Sequence, residues 1–144
     1  MRATLQSLLL LCLIAILTAC SGAAPTATPA ADPLVTFTRS GGIQGKTISF
    51  HVYEDGRLIY TDANGVEIAT QVPESQVQPL KAALSSNDWQ TLDAHYGEQV
   101  PDGYAYMIES GGKQVQTFDS ATQPPILERV LNELHTLIQI ASPN

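Results

Sequence analysis

The chain has 144 residues, and its fourteen acids against seven basic residues give a net charge of −7, so nucleic-acid phosphate would repel it. Both cysteines, Cys12 and Cys20, lie near the N-terminus, which leaves the rest of the chain without a disulfide or a thiolate metal site. The length suits one domain with a modest core.

Met1 and Arg2 open a short basic stretch, and Leu8 to Leu17 is an apolar run broken by nothing more polar than Cys12. That run has signal-peptide length and falls short of the roughly 20 apolar residues of a permanent membrane span. Leu17-Thr18-Ala19-Cys20 follows, and it resembles the lipobox of bacterial lipoproteins. The resemblance implies a signal peptide over 1–19, cleavage after Ala19, and a diacylglycerol thioether on Cys20. The membrane would then be reached through lipid on Cys20, with each buried CH₂ contributing roughly 0.8 kcal/mol. The expected location is the cell membrane or outer envelope, with the domain extracytoplasmic. After cleavage six basic residues remain, Arg39, Lys46, Arg57, Lys81, Lys113 and Arg129, with all fourteen acids. Such a balance argues against adhesion to anionic lipid by charge, so the lipid itself must anchor.

Residues 21–33 contain three prolines and no large apolar side chain. They cannot bury enough surface to offset the entropy of ordering, so 20–33 reads as a disordered tether with a reach of roughly 40 Å. One domain follows, residues 34–141, with no internal repeat.

In chain order, Leu34–Arg39 is β-branched and aromatic and reads as a strand. Thr47–Tyr53 alternates, with Ile48, Phe50 and Val52 inward and Ser49, His51 and Tyr53 outward. Asp55-Gly56 predicts a hairpin turn into a third strand, Arg57–Thr61. A turn at Ala63-Asn64-Gly65 leads to an optional edge strand within Glu67–Val72. Ser75–Ser86 predicts a helix with Val77, Leu80, Ala83 and Leu84 on one face, and Pro79 requires that helix to begin close to Ser75. A short helix is expected near Trp89–Ala94, with Trp89 and Leu92 as core anchors. Tyr104–Glu109 and Lys113–Asp119 make a second hairpin across Ser110-Gly111-Gly112. Pro124-Pro125 starts the last helix, where Leu127, Val130, Leu131, Leu134, Leu137 and Ile138 recur at helical spacing. The fold class is α+β: an antiparallel sheet of four to five strands with helices on one face, in the order β-β-β-α-(short α)-β-β-α.

Catalytic chemistry is sparse. His51 belongs to a sheet face, His95 to a loop and His135 to the polar side of the last helix, and no two have metal-ligand spacing. There is no Gly-x-Ser-x-Gly elbow and no phosphate-binding loop. Glu54, Asp55, Asp88 and Asp93 fall at turns and helix starts, where carboxylates cap backbone N–H groups. No carboxylate pair is singled out for glycoside hydrolysis. The reading is therefore no enzyme, no metal and no cofactor. Two loops carry more content. Arg39-Ser40-Gly41-Gly42-Ile43-Gln44-Gly45 places three glycines just after a strand, and backbone with positive φ accounts for them as well as a binding role does. Val100-Pro101-Asp102-Gly103-Tyr104 equally suits a type I or II turn.

These elements together resemble the emfourin family, small protein inhibitors of thermolysin-like zinc metalloproteases. Its Arg-x-Gly-Gly-(Phe/Ile)-x-Gly element is matched by Arg39, Gly41, Gly42, Ile43 and Gly45. Its Pro-Asp-x-(aromatic)-x-Tyr element is matched by Pro101, Asp102, Tyr104 and Tyr106. The resemblance spans nearly all of 34–141, and it departs where Ile43 replaces the frequent Phe. It implies a partner, a secreted thermolysin-like metalloprotease, and a protease-binding surface of Arg39, Ser40, Gly41, Gly42, Ile43, Asp102 and Tyr104. A non-inhibitory binding or structural lipoprotein on the same scaffold is the alternative.

Overall fold

A computed structural model describes residues 31–142. The expected signal peptide, Cys20 and most of the tether lie outside the described residues. Ten elements follow in order: β1 (Val35–Gly41), β2 (Lys46–Val52), β3 (Arg57–Thr61), β4 (Glu67–Gln71), α1 (Glu74–Leu84), α2 (Asn87–Gln90), β5 (His95–Tyr96), β6 (Tyr104–Ser110), β7 (Lys113–Phe118) and α3 (Pro125–Ala141). The strands make one seven-stranded sheet in the order β4-β3-β2-β1-β6-β7-β5, antiparallel except between β5 and β7. The class is α+β.

Alternation decides which face is covered. In β1 the buried residues are Val35 and Phe37, in β2 Ile48, Phe50 and Val52, and in β7 Val115 and Thr117, with Phe118 buried at the strand's end. Register places these side by side: Phe37 lies opposite Phe50 on one flank and Ile108 on the other, and Val35 lies opposite Val52. The apolar stripes of α1 and α3 complete the same core, with Val77, Leu80, Leu127, Val130 and Leu134 all buried. Pro125 occupies the first turn of α3, where its missing N–H is not needed. Ser86 caps α2, its Oγ accepting from the Trp89 N–H at 3.2 Å, and Trp89 is fully buried as expected of a core anchor. Every buried apolar residue among the described residues lies between Val35 and Ala141, and nearly all of them pack into one core. No helix of the described residues is long and apolar enough to cross a membrane.

Two expectations need correction. The sheet has seven strands rather than four to five. The order is β-β-β-β-α-α-β-β-β-α, because Glu67–Gln71 pairs fully with β3 and His95–Tyr96 pairs with β7. His95 is therefore in an edge strand and not in a loop. Two residues are too few to show alternation; the bridge is made by a distant partner, with Gln116 N–H donating to the Ala94 carbonyl at 2.9 Å. The helix α1 begins at Glu74, one residue before Ser75, as expected, and Pro79 lies within it. Pro79 removes one N–H from the ladder, and the buried face of α1 carries the helix across it.

Candidate functional site

The two motif loops meet at one pole of the sheet. β1 and β6 are antiparallel neighbours, and their register sets Gly41 opposite Tyr104 and Arg39 opposite Tyr106. Gly41 also pairs with Lys46 at the mouth of the β1–β2 hairpin, leaving Gly42-Ile43-Gln44-Gly45 as the loop. The Gly42 N–H donates to the Gly103 carbonyl at 3.1 Å, which ties this loop to the turn before β6. Gly45 N–H returns to the Gly42 carbonyl at 3.0 Å and closes the loop on itself.

Glycine is required here by contact as well as by dihedral. Gly41 has φ 113°, and a Cβ there would run into the Gly103 carbonyl oxygen. Gly42 has φ 71°, and a Cβ there would stand 2.8 Å from Tyr104 Cζ. The loop therefore lies flat against Tyr104, and Ile43 is pushed outward, 90% exposed. Most large apolar side chains of this domain are hidden, so one held fully in water at a loop tip stands out.

The second motif makes a type II turn. Gly103 N–H donates to the Val100 carbonyl at 3.1 Å, and Asp102 has φ 61°. That choice between turn types was open in the sequence, and the positive φ at the third residue decides it. Asp102 is the only non-glycine residue with positive φ among the described residues. The Arg39 guanidinium lies 4.9 Å from the Tyr104 ring centroid, a cation–π arrangement.

Arg39, Gly41, Gly42, Ile43, Asp102 and Tyr104 all line one open groove of about 420 Å³. Ser40 does not. Alternation sends its side chain to the uncovered face of the sheet, away from Arg39. The groove is completed by residues that sequence reasoning missed: Lys46 and Ile48 from β2, and Ala63 from the β3–β4 turn. Ala63 reaches it only through the packing of that turn, and no local pattern announces this.

Asp119 was missed as well, and it stiffens the site from behind. One carboxylate oxygen accepts the Tyr104 N–H at 2.9 Å, and the other accepts the Tyr106 hydroxyl proton. Burial first, then the Asp119 hydrogen bond and charge, push the Tyr106 hydroxyl up to about 12. Tyr106 stacks on Phe37 at 6.0 Å, and the His135 ring stands edge-on to Phe37 at 6.2 Å. His135 has an exposed edge, yet this packing strips enough water from its ring to lower its pKa, and Arg39 lowers it further. Among the described residues no three His, Cys, Asp or Glu side chains converge as metal ligands.

His51 faces the uncovered side as expected, its Nδ1 3.1 Å from Thr36 Oγ1. A larger depression, of about 560 Å³, lies at the opposite end of β1 between Asp32, Pro33 and the Ser110–Lys113 turn. It is lined by the segment where the described chain begins and contains none of the motif residues.

Comparison with known proteins adds no family. No protein-family model matches the chain, and no curated protein sequence matches it.

Proposed function

We propose that the chain is a lipid-anchored inhibitor of thermolysin-like zinc metalloproteases, of the emfourin type, that blocks the active-site cleft with the Gly42–Gly45 loop. The observation that carries this reading is the isoleucine held 90% exposed at the tip of a loop fixed by its own glycines. Seating such a side chain in an apolar pocket gains about 1.5–3 kcal/mol. The loop is already ordered, so little conformational entropy opposes docking. The Asp102 turn and Tyr104 would extend the contact towards the roughly 1,600 Å² typical of a protease–inhibitor interface. Flat backbone at Gly41 and Gly42 lets the protease approach the loop closely.

The route of the tether agrees with this role. Leu34 enters β1 beside Ser110, whose Oγ donates to the Leu34 carbonyl at 2.8 Å. The loop lies at the other end of β1, about 20 Å further on. An anchor on Cys20, acting through the 20–33 tether, would hold the domain by the pole that the protease does not use. Ser40 drops out of the proposed contact surface.

The test is a titration of the domain from Asp32 onward against thermolysin, read with a fluorogenic peptide, with a gel to follow the domain itself. Saturable inhibition by uncut protein, weakened at least tenfold by Ile43→Asp, is expected. Digestion of the domain, or full protease activity at saturating concentration, would leave a non-inhibitory binding module in its place.

A further inference from the structure

We infer that the groove beside the Ile43 loop is a receptor for an acidic side chain, with Arg39 and Lys46 taking the carboxylate of an aspartate or glutamate on the docked partner. The inference rests on reading this pole as a docking surface, and it adds the chemistry of what docks.

Charge is the first observation. The chain carries fourteen acids against seven basic residues, yet two of those basic residues line this one groove and only Asp102 opposes them. Neither cation makes a direct ion pair among the described residues. Among the described residues the ion pair is Lys81 with Glu54 at 3.0 Å, and neither Arg39 nor Lys46 has a carboxylate within bonding distance.

The neighbouring acids are committed elsewhere. Asp62 lies close enough for Lys46 to help hold its carboxyl below the ordinary value, but backbone bonds dominate that shift. Asp62 Oδ1 accepts the Val66 and Asn64 N–H groups at 2.8 Å each, and Oδ2 accepts from Asn64 Nδ2 at 3.3 Å. Asp119 is similarly engaged by Tyr104 and Tyr106.

Geometry is the second observation. The Arg39 guanidinium lies over the Tyr104 ring, 4.9 Å from its centroid, and makes no ion pair among the described residues, so its N–H donors can meet a carboxylate in a bidentate pair. Lys46 lines the same groove from the start of β2, exposed and opposite Gly41, so its long side chain can reach the same carboxylate. Ile43, Ile48 and Ala63 add apolar surface beside the two cations, which favours a peptide over a free ion. A volume of about 420 Å³ admits an acidic side chain with part of its neighbours.

The test needs no protease. The ¹⁵N-labelled domain is titrated with an acetylated, amidated hexapeptide holding two glutamates among alanines. The same peptide with lysines in their place and phosphatidylglycerol vesicles are titrated in parallel. The glutamate peptide is expected to move the amide signals of Gly42–Lys46 and Tyr104 and the Arg39 Nε–H. Affinity should fall about tenfold in Arg39→Gln/Lys46→Gln and severalfold in Lys46→Gln alone, where the exposed side chain takes no part in the core. It should also fall severalfold between 0.05 and 0.5 M salt, while Arg129→Gln leaves it unchanged. Shifts of equal size with the lysine peptide, a silent groove, or undiminished binding by the double variant would overturn the inference. Vesicles that take the groove while the peptide does not would overturn it in favour of a lipid surface. Peptide binding without protease inhibition would sink the inhibitor proposal and keep the acidic site. Protease inhibition with a silent groove would do the reverse.

Discussion

Replacing Gly41 with alanine should destabilise the domain by about 3 kcal/mol. Gly41 holds φ 113°, outside the small left-handed well that other residues visit. Forcing a side chain into such backbone costs of order 1–3 kcal/mol. The added Cβ would also meet the Gly103 carbonyl oxygen, and that oxygen cannot retreat freely because it accepts the Gly42 N–H at 3.1 Å. Breaking that hydrogen bond adds about 1 kcal/mol. Gly45 is the natural comparison. It has φ 60°, inside the left-handed well, and a Cβ there would meet nothing within 4 Å. Gly45→Ala should therefore cost only about 1 kcal/mol. For a domain of this size each kcal/mol moves the melting temperature by about 4 °C, so the expected losses are about 12 °C and about 4 °C. Far-UV circular dichroism melts, with urea titrations for the free energies, measure both. Equal losses at the two glycines would refute the claim that contact with Gly103, rather than positive φ alone, makes Gly41 obligatory.

Other substitutions probe the core and the groups around the groove. Leu134 is fully buried on α3, so Leu134→Ala should cost about 2–5 kcal/mol in a urea titration, and a loss below 1 kcal/mol would contradict its place in the core. Tyr106→Phe removes the hydroxyl bond to Asp119 at about 1 kcal/mol. Because the folded Tyr106 titrates at about 12 against an ordinary 10.0, its contribution is full below pH 10 and fades as pH rises towards 12. The phenylalanine variant should lose that part of the alkaline decline, and an identical alkaline profile would count against it. His135 is shifted the other way, by burial first and Arg39 second, so the fold favours its neutral ring. That contribution is full above pH 6.5 and is lost as pH falls through the lower folded value. In an NMR titration His135 should show a pKa below 6.5 that rises in Arg39→Gln. A pKa indifferent to Arg39 would show that the charge does not reach the ring.

Much of the fold was legible because its signals are local. A strand with one buried face must alternate, and β2 does so through Ile48, Phe50 and Val52. The helix α3 must repeat at 3.6 residues, and its stripe from Leu127 to Leu137 is buried as read. Turn chemistry is local too, which is why Asp55-Gly56 and Ser110-Gly111-Gly112 fall where hairpins were expected. β5 escaped because two residues carry no period. Pro79 is tolerated inside α1 because propensity is a weak term, and buried Val77, Leu80 and Ala83 outweigh one missing hydrogen bond.

The site divides along the same line. The residues of both loops could be named from the sequence, because glycines in a row and a Pro-Asp-Gly turn are local signals. Their meeting could not. Arg39 and Tyr104 share a groove because β1 chose β6 as its second neighbour, a choice made by the summed burial of Phe37 against Ile108 and of every other pair in that ladder. The same pairing turned Ser40 away to the opposite face, and the hairpin β1–β2 and the β3–β4 turn brought in Lys46 and Ala63. Residue type and local period follow from the chain alone. Which side chains become neighbours is settled only when distant strands pair and bury a common face, since that free energy belongs to the whole sheet and to no single segment of it.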